Sequence, residues 1–338
     1  MEPSRSTSSV VAIGVIGTLV VVAMALAVGA TSISPFDTAR VIADRLLPID
    51  LATPDVADAI IWNIRLPRVL AALGAGAALG IGGVVLQGLF RNPVADPQLV
   101  GLSAVASIGV LIGAWIGWNA LGPIAAVIGG AVAGAAGAGV VRVLARNSEG
   151  DGSRFILAGI GFGVAIAGVV AAAAVALNDP RIPDVPFWFV GGLGGSTWGT
   201  AGWVLGIAVV ATALVLPFGS RIDIMSLGTA SASHLGVDVS RVSAVSLAAI
   251  GLGVGAAVGT AGIVAFVGLL AGSRARAMVG AHHRVAIVAA FFLGAWFLIG
   301  ADALGRLVGG RFEIPVGLVT AALGGPYLVW MIATRRST

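Results

Sequence analysis

Nine long apolar stretches, each with at most one charged residue, run through the sequence. Each is about 20 residues long, the length that an α-helix needs to cross the hydrocarbon core of a bilayer. The stretches are continuous and do not alternate between apolar and polar positions, so they predict helices and not barrel strands. The sequence therefore predicts an all-α polytopic membrane protein, with spans at Val10–Ala30, Val69–Phe90, Leu99–Trp118, Ile124–Leu144, Phe155–Leu177, Trp198–Phe218, Val242–Thr260, Val285–Leu304 and Ile314–Ile332.

The composition excludes several classes of protein. Apolar residues make up 58% of the chain and charged residues 10%, whereas a soluble domain has roughly 45–50% and about 25%. Soluble enzymes, nucleic-acid-binding proteins and secreted scaffolds are therefore excluded. The chain has no Cys, and its three His residues form no metal-ligand cluster, so we expect no metal site and no cofactor. We interpret His282 and His283, next to Arg284, as part of a solvated cytoplasmic loop; a ligand set is the alternative.

Arg residues set the orientation of the spans, because basic residues are enriched in cytoplasmic loops. Most of them fall on the inside when the N-terminus is placed in the cytoplasm and the spans alternate. This bias predicts about ten crossings with both termini cytoplasmic. The apolar run Ala261–Leu270 is too short to cross alone, so the tenth crossing requires the segment around Ala261–Ser273 to return the chain to the inside as a short or tilted helix. The first stretch lacks a strongly basic start and a clear cleavage site, so we interpret it as a retained span.

Gly and Pro interrupt the apolar pattern at Asn92-Pro93, Asp96-Pro97 and Gly259–Gly262. These positions are either broken helices that line a cavity or simple helix ends. The sequence lacks the Gly-rich phosphate loop, so the chain is not expected to bind ATP by that device. The apolar centres of the spans contain almost no ionisable residue, which argues against a proton- or sodium-coupled carrier.

Several motifs, in order, resemble one family. The chain carries Arg65-Leu-Pro-Arg68 before a Gly/Ala-rich span, then Leu86-Gln-Gly-Leu-Phe-Arg-Asn-Pro-Val-Ala-Asp-Pro-Gln-Leu-Val-Gly101. Further matches are Phe187–Trp198, Leu227–Val237, Ala301–Arg306 and Glu313–Gly317. Over residues 60–332 the sequence resembles the FecCD family, the permease subunits of ABC importers for ferric siderophores, haem and cobalamin.

The resemblance implies a single transmembrane permease domain over 1–338, with ten spans and no catalysis of its own. It implies a second permease chain, in a homodimer or heterodimer, and two ABC ATPase subunits that bind ATP and Mg. A periplasmic or lipid-anchored substrate-binding protein would dock outside. The protein is then expected in the bacterial cytoplasmic (inner) membrane, among lipids and with no nucleic-acid partner.

The resemblance also assigns roles to residues. It implies docking of the binding protein at three outer Arg residues, Arg65, Arg68 and Arg306. It implies ATPase coupling at Leu227, Gly228, Ala232, His234, Leu235 and Gly236, and a translocation pathway near Gln87, Asn92, Pro93 and Gly101. Arg65 and Arg68 are three positions apart and share a helix face. Pairing with acids of the loop 50–58, or with lipid phosphates, is the alternative for this pair.

The chain departs from the family pattern at two places. Gly272 and Ser273 replace a usual Pro-His, and Ser233 replaces a usual Arg in the coupling segment. Either a second, more typical permease compensates, or the changes are neutral. The expected cargo is an iron chelate, a ferric siderophore or haem. Alternatives are a cobalamin permease and, in other classes, an ATP-independent channel or secondary carrier, or a membrane enzyme.

Overall fold

The computed structural model describes residues 7–29, 33–47, 54–146, 152–177, 179, 185–280, 282–310 and 312–334. Within these ranges every element of regular secondary structure is a helix. The helices are α1 Thr7–Ala27, α2 Pro35–Leu46, α3 Asp55–Ile60, α4 Leu66–Leu89, α5 Leu102–Leu121, α6 Ile124–Arg146, α7 Gly152–Leu177, α8 Val185–Val190, α9 Trp198–Val215, α10 Gly219–Ser226, α11 Thr229–His234, α12 Val239–Ala261, α13 Val267–Val279, α14 His283–Gly309 and α15 Val316–Thr334. A π-helical turn, Ile61–Arg65, joins α3 to α4, and a 3₁₀ turn, Leu216–Phe218, joins α9 to α10.

The described residues contain eight helices that are long and apolar enough to cross a membrane. The apolar helix α5 and the 13-residue α13 complete the predicted set of about ten. The returning segment is a short helix, as expected, but it begins later than the apolar run. The chain leaves α12 at Gly262, and α13 begins only at Val267, inside the bundle. A 13-residue helix is about 20 Å long, too short to span the core alone, so the non-helical segment 262–266 covers part of this crossing.

Helix α4 is the centre of the bundle. From Pro67 to Leu89 every residue except Leu70 and Leu73 is buried. It packs against α9, α12, α13 and α14, while α12 packs against α6 and α5, and α1 packs on α14. Such burial on all sides explains why the sequence of α4 is apolar around its whole circumference.

Glycines bring the central helices into backbone contact. Gly134 of α6 faces Gly251 of α12 so closely that a Cβ on either residue would overlap the other's carbonyl oxygen. Gly76 of α4 and Gly294 of α14 form the same arrangement. Lipid tails provide no hydrophobic drive for association between helices, so close packing of small residues has to supply much of it.

The segment 90–101 folds back into the bundle between α4 and α5. Its Pro97 lies against Gly82, and its Asp96 is 4% exposed. The break at Asp96-Pro97 is therefore re-entrant backbone, whereas Asn92-Pro93 lies just beyond the end of α4 and is half-buried. Non-helical backbone at this depth is tolerated only where other protein groups satisfy it.

Candidate functional site

The outer ends of α4 and α14 are joined by a buried ionic cluster. Arg68 donates to the two carboxylate oxygens of Asp302, Nε–Oδ1 2.9 Å and Nε–Oδ2 3.1 Å. The same guanidinium bonds Glu313 through Nη1–Oε2 at 2.6 Å, and Arg306 Nε reaches Asp302 Oδ2 at 3.1 Å. The planar fork of Arg suits this shared binding of carboxylates.

Two of the Arg residues bind the end of α1. Arg65 Nη1 donates to the carbonyl oxygen of Leu26 at 2.6 Å. Arg306 donates to the carbonyls of Val28 at 2.6 Å and Ala25 at 3.1 Å. The last carbonyl groups of a helix have no intrahelical partner and carry partial negative charge, so cations are favoured there. These contacts fasten α1 to α4 and α14.

The structure therefore places Arg65, Arg68 and Arg306 together at the outer end of the bundle, but not as an exposed rim. Their exposed fractions are 4%, 6% and 4%. In the single chain the end of α1 and the two acids cover their guanidinium groups. Their role in docking stays a prediction. Glu313 is the accessible member, with a side chain that is 48% exposed.

Among the described residues of the loop 50–58, neither Asp55 nor Asp58 is a partner of Arg68. Its bonds run to Asp302 and Glu313 instead. Asp58 pairs with Arg45, whose Nη2 lies 2.6 Å from Oδ2 and whose Nε lies 3.0 Å from Oδ1. This two-pronged contact is the geometry that Arg and a carboxylate prefer. Residues 50–53 lie outside the described residues.

A cavity of about 500 Å³ opens beside the outer cluster. Arg68 and Glu313 contribute its charged wall, and Trp188 and Thr200 lie on other sides. Residues 192–195 line another part of the cavity. They belong to the motif Phe187–Trp198, so this motif and the ionic cluster border the same space. Most of the remaining lining is apolar or glycine.

The cytoplasmic site is a pair of short helices, α10 and α11. Gly236 has φ +80° and ends α11. The Gly236 N–H bonds the Ser233 carbonyl at 3.0 Å, and the Val237 N–H bonds the Ala232 carbonyl at 3.0 Å. These two bonds are the Schellman pattern, which fixes the end of the helix.

The predicted coupling residues differ in their exposure to solvent. Ala232 lies on the buried face of α11, and Gly228, the N-cap of this helix, has φ +124°. Leu227 and Leu235 are 71% and 64% exposed, and His234 and Gly236 are also exposed. Leu227 and Leu235 therefore leave accessible apolar side chains at the two ends of α11.

Ser233, which replaces the usual Arg, bonds the carbonyl of Thr229 at 3.0 Å within α11. The departure at Gly272 has a packing reason: a Cβ there would lie 2.8 Å from the Gln87 amide oxygen and from the Val84 nitrogen of α4. Ser273 lies 3.0 Å from the Tyr327 hydroxyl and so links α13 to α15. Gly272 and Ser273 therefore fit α13 closely into its surroundings.

The predicted pathway residues lie around the re-entrant segment. Gln87 is fully buried and donates to the Leu269 carbonyl at 3.4 Å. Asn92 accepts a bond from the Val94 N–H at 3.0 Å, next to the half-buried Pro93. Gly101 has φ +80°, and a Cβ there would lie 3.1 Å from the Gly159 carbonyl of α7. In the single chain Gln87 faces α13 and not an open channel.

Sequence reasoning missed two carboxylates that bind helices distant in the chain. Asp96 accepts a bond from the Leu269 N–H at 2.9 Å and so caps the first turn of α13. Asp223 of α10 lies 2.6 Å from Nδ1 of His283. His283 is 5% exposed, so its placement in a solvated loop is wrong, whereas His282 is exposed. Asp-Pro at 96–97 signals a turn, but nothing in it identifies a partner 173 residues away.

Comparison with known proteins agrees with the family resemblance of the motifs. The model of the FecCD transport family matches residues 17–334. The hemin transport system permease protein HmuU of Yersinia pestis is 34% identical over 290 residues, 82% of this chain and 84% of that protein. The cobalamin import system permease protein BtuC of Halobacterium salinarum is 33% identical over 85% of this chain and 77% of its own length.

The vitamin B12 import system permease protein BtuC of Escherichia coli is 34% identical over 85% of this chain and 87% of its own length. Among solved structures, an inward-facing metal-chelate type ABC transporter aligns with a TM-score of 0.76. That alignment covers 97% of this chain and 99% of the other chain, at 22% identity, and shows a shared fold.

Proposed function

Because this chain belongs to the FecCD transport family, we propose that it passes an iron chelate, a ferric siderophore or haem, through the membrane. It is a permease subunit of an ABC importer of the haem, cobalamin and metal-chelate class, and a multi-pass protein of the bacterial cytoplasmic membrane. The observation that supports this proposal is that two different features lie at opposite ends of one helix bundle. An ionic cluster joins α1, α4 and α14 at the outer end, and two exposed leucines flank α11 at the cytoplasmic end.

ATP hydrolysis belongs to separate subunits in this proposal. Leu227 and Leu235 would bind an ATPase subunit, because their exposure to water is otherwise unfavourable. The Schellman bonds at Gly236 hold Leu235 in a fixed position, as a contact that transmits force requires. A second permease chain would pack on α7, where Gly161 and Gly168 have open space above their Cα atoms.

The test is uptake by the whole importer in proteoliposomes, with its ATPase subunits and binding protein. We expect ATP-dependent uptake of haemin or of a ferric siderophore in preference to cyanocobalamin. The purified chain alone is expected to hydrolyse no ATP. Preferential uptake of cyanocobalamin would replace the iron-chelate assignment by the cobalamin one. Uptake by the chain alone, without ATP, would contradict the importer itself.

Docking is proposed to work by exchange of carboxylates at Arg68. Glu313 is the half-exposed partner of this buried guanidinium, so an acidic side chain of the binding protein can take its place. Such a mechanism needs no exposed Arg. It also explains why the docking residues are covered in the chain on its own.

We expect Glu313→Gln to increase the affinity for the binding protein about fivefold at low salt, because it removes the competing charge. The effect should shrink as ionic strength rises, since screening weakens the same attraction. The measurement is a binding titration across a salt series. Asp37→Asn is the matched control, because it also removes one outer carboxylate but has Ser34 as its partner. Equal affinities for the two variants would contradict the exchange.

A further inference from the structure

Helix α10 supplies the cap of helix α14. The N-cap residue of α14, His282, makes no side-chain bond to the first turn. Instead Asp223 Oδ1 of α10 accepts the backbone N–H of His283 at 2.8 Å and lies 2.6 Å from its ring Nδ1. A carboxylate at the start of a helix also interacts favourably with the helix dipole. Two bonds thus converge on one carboxylate oxygen.

The surroundings of this contact leave little room for movement. The His283 side chain is 6% exposed. A Cβ added to Gly88 of α4 would overlap Nε2 of this ring, and would also lie 2.6 Å from the Ile222 side chain of α10. One turn earlier, a Cβ on Gly219 would lie 2.7 Å from the backbone nitrogen of Arg284. Because α10 meets the backbone of α14 at Gly219, and side chains of both helices pack on Gly88 of α4, a displacement of α10 has to move its neighbours.

The two ends of α14 connect the two sites already described. At the cytoplasmic end, α10 leads through Gly228 into α11, whose Ala232 N–H bonds the Gly228 carbonyl at 2.9 Å. At the outer end, Asp302 and Arg306 belong to the ionic cluster. His283 and Asp302 are 19 positions apart on one helix, which is about 28 Å along its axis. No break interrupts α14 between them.

We propose that Asp223 and His283 are positioning residues that transmit movement of the ATPase-facing helices α10 and α11 to α14, and through it to the outer ionic cluster. This inference rests on the proposed function. It assigns to the Asp223–His283 contact a role in coupling ATP hydrolysis to transport. A residue that only caps α14 would affect stability and leave coupling unchanged.

The experiment measures ATP hydrolysed per molecule imported, in proteoliposomes with the complete importer and with haemin and cyanocobalamin as probes. Asp223→Ala is expected to raise this ratio about tenfold, as for loss of a hydrogen bond to a charged group. Asp223→Asn keeps the accepting oxygen and is expected to restore most of the coupling. Asp238→Ala is the matched control, because Asp238 caps α12 through the Arg241 N–H at 2.9 Å but joins no other helix. Its ratio should equal that of the wild type.

Equal ratios for Asp223→Ala and Asp238→Ala would overturn the proposal. If Asp223→Ala does not assemble, His283→Leu serves instead, because it keeps the backbone bond and most of the volume but loses the ring bond. A wild-type ratio in His283→Leu would also overturn the proposal. Import of neither probe by the wild-type complex would be a failure of the proposed substrate. Stimulation of ATP hydrolysis by the binding protein then provides the coupling measurement, and wild-type stimulation in the variants overturns the inference.

Discussion

Asp302→Ala is expected to lower the free energy of unfolding by about 3–5 kcal/mol, because it leaves two buried Arg residues without their shared carboxylate. The side chains of Arg68 and Asp302 are 7% and 2% exposed, so the charges left without a partner are largely removed from water. Arg306 also loses its bond to Asp302, and the anchor of α1 loosens with it. The measurement is the thermal or denaturant unfolding of the purified protein in detergent.

Asp58→Ala is the control for this prediction. Asp58 also lies on the outer side and also pairs with an Arg, but the side chains of Arg45 and Asp58 are 47% and 20% exposed. A pair of this kind contributes only about 0–1 kcal/mol. If both variants unfold alike, the outer cluster does not hold the helices together.

Gly134→Val is expected to cost about 3 kcal/mol or more, because its side chain would collide with the backbone of α12. The clash is with the carbonyl of Gly251, and backbone cannot rotate away as a side chain can. The neighbouring contact between Gly130 and Gly255 would be forced apart as well. The expected result is a low yield of folded protein and a reduced unfolding temperature.

Gly139→Val on the same helix is the matched control. No heavy atom of a neighbouring residue lies within 4 Å of the position that a Cβ on Gly139 would occupy, so the same substitution meets open space. Both variants change helix propensity equally, and only the contact between helices differs. A similar loss of stability in both would show that propensity and not packing decides the effect.

The spans could be predicted because each depends only on its own residues. A stretch such as Trp198–Phe218 has to be helical in lipid, whatever surrounds it. The end of α11 was equally local, since Gly236 supplies the positive φ that the turn requires. The orientation of the spans followed from the distribution of Arg along the chain.

The burial of the outer Arg residues could not be predicted, because their partners are far away in the sequence. Arg68 and Asp302 are 234 positions apart, and Arg65 and Leu26 are 39 apart. The sequence located these residues at the outer ends of spans, but three Arg in that position are equally compatible with an open rim. Only the packing of α1 against α14 decides between the two.

The start of α13, inside the bundle, also depends on a partner that is distant in the sequence. An apolar run from 261 to 270 predicts a crossing, but the chain turns at Gly262 and at Phe266, whose φ is +67°. Helix α13 depends on Asp96, because the free N–H groups of its first turn need an acceptor that lipid does not offer.

The caps of α13 and α14 have a consequence for the biogenesis of the protein. Asp96 precedes Leu269 in the chain, and Asp223 precedes His283, so each acceptor is synthesised before the helix that depends on it. Because a chain is synthesised from its N-terminus, the acceptors of both caps already exist when α13 and α14 emerge from the ribosome. Separate expression of the late helices would deprive α13 of its Asp96 cap at the moment of insertion.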